Sequence, residues 1–79
     1  MRLDKYLKVS RLIKRRSVAN DACDSDRVMV NGKVARASLA VKPGDIIEIA
    51  FGNRTLRVEV TEVSENAKKE DAPAMYREL

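Results

Sequence analysis

Histidine and tryptophan are missing from this sequence of 79 residues, and cysteine occurs once, at Cys23. Histidine is the commonest general acid or base near neutral pH, so its absence argues against catalysis. A lone cysteine closes no disulfide within the chain and, without histidine, completes no Cys/His metal site. The expectation is a cytoplasmic protein from a reducing compartment, with no catalytic residue, no metal and no cofactor. Apolar residues nowhere run beyond three, as in Leu39-Ala40-Val41. That excludes a signal-peptide core or a membrane-spanning helix, and no membrane partner is expected. The length fits one domain, near the lower size at which a core stands without covalent staples.

Positive charge, by contrast, is concentrated. Arg2, Lys5, Lys8, Arg11, Lys14, Arg15 and Arg16 face a single acid, Asp4, among the first 16 residues, whereas nine basic residues meet eleven acidic ones beyond them. A surface kept only for solubility mixes both signs, as residues 45 to 62 do. Seven cations packed so closely repel one another, and RNA phosphates would relieve that repulsion while releasing counterions.

At 100° per residue, residues 3 to 13 read as a helix with Leu3, Tyr6, Leu7 and Ile13 on one side and Asp4, Lys8, Arg11 and Arg15 on the other. Asp4 suits the first turn and can pair with Lys8 one turn on. Val9 and Leu12 fall off the apolar stripe, so the helix is expected to end between Ser10 and Lys14. Ser17 is the expected N-cap of a second helix whose Val18, Ala19, Ala22 and Cys23 share a face. That helix should stop near Asp24 to Asp26, with Asp26 taking a left-handed conformation.

Asn31-Gly32 is a strong type I′ hairpin signal, setting Met29 opposite Val34 and Val30 opposite Lys33. Pro43-Gly44 makes a second turn. The alternating stretch from Asp45 to Val63 then folds about Gly52-Asn53, with Ile49 opposite Leu56, Ile47 opposite Val58 and Glu48 opposite Arg57. Residues 64 to 79 form a polar C-terminal tail, either flexible or a short helix anchored by Met75 and Tyr76. The fold class is α+β: two N-terminal helices packed on a small, mostly antiparallel sheet, with the domain over residues 1–63 and the tail over 64–79.

The segments "RLDKYL", "SRLIKRRSVAN", "RVMVNGKVA" and "VKPGDIIEI" occur, in order and spacing, as in the S-four-like RNA-binding domain, the alpha-L motif. The short length, "RLDKYLKVSRLIKRR" and "KKEDAPAMY" make nearly the whole chain resemble the stand-alone bacterial RqcP family of ribosome-associated quality control. A sibling, the heat-shock S-four protein, shares the domain but carries a longer basic extension. The resemblance implies a non-catalytic, monomeric binder of large-subunit rRNA and peptidyl-tRNA on obstructed subunits, assisting an RqcH-type factor in alanine tailing of stalled chains. The heat-shock alternative implies recycling of dissociated large subunits that carry nascent chain-tRNA. An enzyme's RNA-docking module and a basic docking helix for an acidic protein are the rival readings. One departure is Asp26 where the family usually has Gly, a carboxylate beside Arg27 that takes Arg27 out of the expected site.

The RNA-binding site is expected on Arg2, Lys5, Lys8, Arg11, Lys14, Arg15 and Arg16, with Asn31 and Lys33 at its rim. The arginines rank first because a guanidinium makes forked bonds to phosphate and stacks on bases. Asp4, which phosphate would repel, is expected to orient a neighbouring Arg or Lys. Cys23 and Tyr6 are expected in the core.

Overall fold

The computed structural model describes residues 1–65 and 68–79. Helix α1 (Leu3–Val9) and helix α2 (Arg16–Asp24) precede strands β1 (Val28–Val30), β2 (Lys33–Val34), β3 (Ile46–Phe51) and β4 (Arg54–Val60). A 3-10 helix (Lys69–Met75) and strand β5 (Tyr76–Glu78) complete the chain. The five strands lie in the order β2-β1-β3-β4-β5, and every neighbouring pair is antiparallel.

Alternation decides which face of this sheet is buried. Val28 and Val30, Ile47 and Ile49, and Val58 and Val60 point inward, where they meet Leu3, Tyr6 and Leu7 of α1 and Ala19 and Cys23 of α2. The expected registers hold: Met29 pairs with Val34, Val30 with Lys33, Ile49 with Leu56 and Ile47 with Val58. Glu48 faces Arg57 across the outer surface, their charged atoms 3.4 Å apart. Asn31 and Gly32 both take positive φ, 54° and 83°, as a type I′ turn requires.

Helix α1 ends at Val9 with Ser10 as its C-cap, at the near edge of the expected interval, and Arg11 follows in a left-handed conformation, φ 63°. That placement costs a side-chain-bearing residue on the order of 1 kcal/mol. It also folds the chain back, so that Ile13 is buried and Leu12 packs at the core's edge. Asp26 is left-handed as well, φ 59°, closing α2 as expected.

Two local expectations need correction. The N-cap of α2 is Arg15, in extended conformation and without a side-chain cap bond, not Ser17. The helix begins before Ser17, and Arg16 and Asn20 tie its first turns to α1 through the Asp4 carboxylate. Val18, expected on the packed face of α2, is half exposed, while Ala19 and Cys23 are buried. Burial pushes the Cys23 thiol up to about 11, with the charges of Asp4 and Asp24 adding to the shift, so it is a protonated core residue at neutral pH.

Of the two expectations for the chain beyond residue 63, the described residues follow the short helix, ending at a buried Met75, and add a strand after it. β5 pairs with β4 through Val60 and Tyr76, Glu59 and Arg77, and Val58 and Glu78. Met75 is 1% exposed, and its carbonyl accepts a 2.7 Å bond from the Tyr6 hydroxyl. Asn66 and Ala67, part of the expected tail, lie outside the described residues. A strand of three residues with one inward side chain leaves too little periodicity to be read in advance. Replacing Met75 with Ala should destabilise the fold by roughly 2–5 kcal/mol, the range for buried Met to Ala. Urea unfolding checks this, and a loss below about 0.5 kcal/mol would show that the C-terminal segment only rests on the core.

Candidate nucleic-acid interface

The first residues of α1 are held by backbone bonds from elsewhere in the chain. Leu3 N–H donates to the Leu39 carbonyl at 2.7 Å and Asp4 N–H to the Ala37 carbonyl at 3.1 Å, while Arg2 and Ala40 form an antiparallel bridge. Amide groups that a helix start leaves without partners are thereby satisfied by the 36–41 loop. Arg2 is thus fixed at the seam between helix and loop.

Asp4 sits at the centre of the site and is 2% exposed. The expectation placed it on the solvated side of α1, paired with Lys8; instead α2 covers it. Arg2 Nε donates to Asp4 Oδ1 at 3.2 Å and Arg2 Nη2 to Oδ2 at 3.4 Å. Arg16 reaches the same carboxylate from α2, with Nε 3.2 Å from Oδ2 and Nη2 donating to Oδ1 at 3.5 Å. Asn20 Nδ2 donates to Oδ2 at 3.4 Å and the Lys5 N–H to Oδ1 at 2.8 Å. The helical wheel failed here because it treats α1 alone, whereas burial is decided by what packs over it.

Burial by itself pushes the Asp4 carboxyl up. The Arg16 bond and charge, the Lys5 N–H and Asn20 together reverse this and leave the group below the usual 3.8. Asp4 is therefore a buried anion whose partners are two arginines that remain half exposed, at 52% and 48% of their side-chain surface. Each guanidinium uses one edge on Asp4 and turns other donors to solvent, two forks held at a fixed mutual position. The expectation that Asp4 orients a basic neighbour is met by Arg2 and Arg16, not Lys8.

The remaining expected site residues divide by geometry. Lys8, Arg11, Lys14 and Arg15 are exposed and make no ion pair among the described residues. Lys5 lies 3.3 Å from Glu65, a partly solvated pair of small energetic weight. Lys33 is exposed beside the hairpin turn. Asn31 is spent on structure: its Nδ2 donates to Asp45 Oδ1 at 3.1 Å and its Oδ1 accepts from the Ile46 N–H at 3.0 Å. Asp26 and Arg27 part company across α2. Asp26 lines a groove with Arg2 and Arg36, whereas Arg27 lines an apolar groove with Phe51. Sequence reasoning missed Asn20, whose only signal was its place one turn after Arg16.

Two N-terminal helices packed on a five-stranded antiparallel sheet define the class of the protein as an α+β module. The family model described as "S4 domain" matches residues 1–47. The chain is 55% identical over 96% of its length to the "RQC P-site tRNA stabilizing factor" of Streptococcus pneumoniae, covering 86% of that protein. Its identity to the protein of the same name in Bacillus subtilis is 51%, over 96% of this chain and 88% of the other. Among solved structures, trimeric heat shock protein 15 of Vibrio cholerae aligns with TM-score 0.92 and 30% identity, over all of this chain and 81% of the other. The chain belongs to the S4-domain family of RQC P-site tRNA stabilizing factors.

Replacing Asp4 with Asn adds one positive charge to the protein, yet it should weaken RNA binding. The amide turns a donor toward guanidinium donors and loosens both arginines. Stability should fall by roughly 1–3 kcal/mol, the cost of an unsatisfied buried group. The pH dependence carries a sign. Because the folded carboxyl titrates below 3.8, its contribution is complete above that value and is lost as pH falls through the folded value. The Asn variant should lack this acid-dependent component, measured by denaturation between pH 2 and 6, roughly the span of that titration. Tighter RNA binding by the variant would show that bulk charge, not arginine placement, sets affinity.

Proposed function

We propose that this protein is a non-catalytic RNA-binding factor of ribosome-associated quality control. In this reading it sits on an obstructed large ribosomal subunit, contacts rRNA and peptidyl-tRNA, and keeps the tRNA in place while an RqcH-type factor adds alanine to the stalled chain. The observation that carries the proposal is the pair Arg2 and Arg16 converging on buried Asp4, in a chain 51–55% identical to proteins named for stabilising P-site tRNA. Arg2 and Arg16 are the ordered contacts, holding phosphates or stacking on bases. Lys5, Lys8, Arg11, Lys14 and Arg15 supply attraction around them, and Lys33 extends the basic surface along the hairpin. The factor works in the cytoplasm, on the ribosome, and as a monomer. Its contribution is positional, since binding energy spent on the tRNA body orients the reacting end elsewhere.

The likeness to heat shock protein 15 favours a second reading, in which the same surface serves recycling of dissociated subunits carrying nascent chain-tRNA. Co-sedimentation with large subunits that carry peptidyl-tRNA, compared with empty ones, tests what the two readings share. Alanine tailing in a purified system separates them.

Changing Arg2 and Arg16 to Lys keeps the charge and removes the forked geometry, so subunit association should fall roughly 10-fold or more, the scale of one or two lost charge-assisted bonds. For the parent protein, neutralising about four to six phosphates gives a drop of roughly 3 to 5 in log affinity per tenfold rise in salt. A flat salt response, or full association by the double Lys variant, would remove the helix face as the RNA surface.

A further inference from the structure

The positive surface does not stop at the helices. The loop that leaves β2, residues 36 to 40, stands as a ridge between two grooves. On one side Arg2, Asn20, Asp24 and Asp26 face Arg36 and Ser38. On the other side Lys33, Leu39, Lys42 and Asp45 face the same two residues. Arg36 and Ser38 therefore belong to both, as do Val34 and Ala35. Lys33, Arg36 and Lys42 are exposed, and among the described residues none of them makes an ion pair.

The acids in these grooves are placed unequally. Asp24 and Asp26 are exposed along the first groove, where they would repel phosphate from the α2 wall and leave only the Arg2 and Arg36 side attractive. Asp45, the one acid among the described residues lining the second groove, is 6% exposed. Its oxygens are taken by Asn31 Nδ2 at 3.1 Å and the Lys42 N–H at 3.0 Å, so it offers little opposing field. Val34 and Leu39, 55% and 40% exposed, give the second groove apolar flanks against which a ribose or base face can rest.

We propose that Lys33, Arg36 and Lys42 form a second RNA-backbone contact, continuous over the 36–40 ridge with the Arg2 and Arg16 site, so that one RNA strand runs from the helix face onto the β2 edge of the sheet. The inference rests on the RNA-binding reading above and extends it to two residues, Arg36 and Lys42, outside the helical face. RNA suits this surface better than an acidic protein because the cations follow a path that begins at the arginine pair. Exposed lysines also lose little by remaining partly hydrated against phosphate.

The experiment uses the full chain and fluorescently labelled deacylated tRNA, with anisotropy followed across a salt series. The Lys33→Gln, Arg36→Gln, Lys42→Gln triple variant, checked for folding by circular dichroism, should bind at least 10-fold more weakly at moderate salt. Its slope of log affinity against log salt should be shallower by roughly 2 to 3, one counterion per lost contact. Hydroxyl-radical footprints should shorten at one end only. A triple variant with parental affinity and slope, beside an Arg2→Lys, Arg16→Lys variant that binds poorly, would overturn the second contact and leave the RNA reading intact. No salt-dependent tRNA binding by the parent protein would overturn both. Polyglutamate, run in parallel, separates the classes of partner: binding as tight as that of tRNA and equally dependent on the three residues would overturn the RNA assignment in favour of an acidic protein.

Discussion

One buried carboxylate organises this molecule. Asp4 is the only acid among the first 16 residues, and it is the point at which α1, α2 and the N-terminal arginine meet. An ionised group at 2% exposure would be costly alone, and it is tolerated because donors from Arg2, Arg16, Asn20 and the Lys5 amide surround it. Those donors in turn constrain the fold. Arg16 and Asn20 lie on α2 one turn apart, so satisfying Asp4 sets where α2 begins and how it lies across α1. The same bonds hold the two guanidiniums that face outward. Packing and the candidate RNA-binding surface therefore depend on one interaction.

The arrangement of strands was legible in the sequence because its determinants are local. Alternation selects the buried face, Asn31-Gly32 selects the type I′ turn, and together they leave no freedom in the pairing of β1 with β2 or of β3 with β4. The ends of the helices were legible to within two residues, since the left-handed Asp26 and the break after Ser10 follow from residue type and stripe geometry. The burial of Asp4, the exposure of Val18 and the fifth strand were not legible. Each depends on how distant segments are placed: α2 over α1, the groove left open between α2 and the β3–β4 hairpin, and β5 against β4. The basic segment was legible as a concentration of charge, but the contacts within and around it were not. Asn31 proved to be a turn clamp, and Asn20 proved to be part of the clamp on Asp4.

The C-terminal segment shows how a chain this small obtains a core. Two helices of seven and nine residues and four short strands leave Tyr6 needing a partner for its hydroxyl, and the Met75 carbonyl supplies it. Met75 adds a large buried side chain at the same place, and β5 covers an edge of β4 that would otherwise be open to pairing with another chain. The new edge carries Arg77 and Glu78, exposed and of opposite charge, which discourages further pairing. Apolar burial, hydrogen bonding and edge protection are thus met together by the 3-10 helix of seven residues and the strand of three.

The cations of the N-terminal segment fall into two physical classes, and the difference bears on what each can do for an RNA ligand. Lys8, Arg11, Lys14 and Arg15 are solvated and unpaired among the described residues, so they act at a distance: they raise the local potential, speed encounter and weaken with added salt. Arg2 and Arg16 have already lost much of their side-chain freedom to Asp4, so forming a contact costs them less conformational entropy than it would cost a free arginine. Their geometry is also selective, because two forks held at one separation match some phosphate spacings and not others. In the proposed RNA-binding role, attraction and discrimination would therefore fall to different residues within the same sixteen positions, and a single acid at position 4 is what divides the paired cations from the free ones.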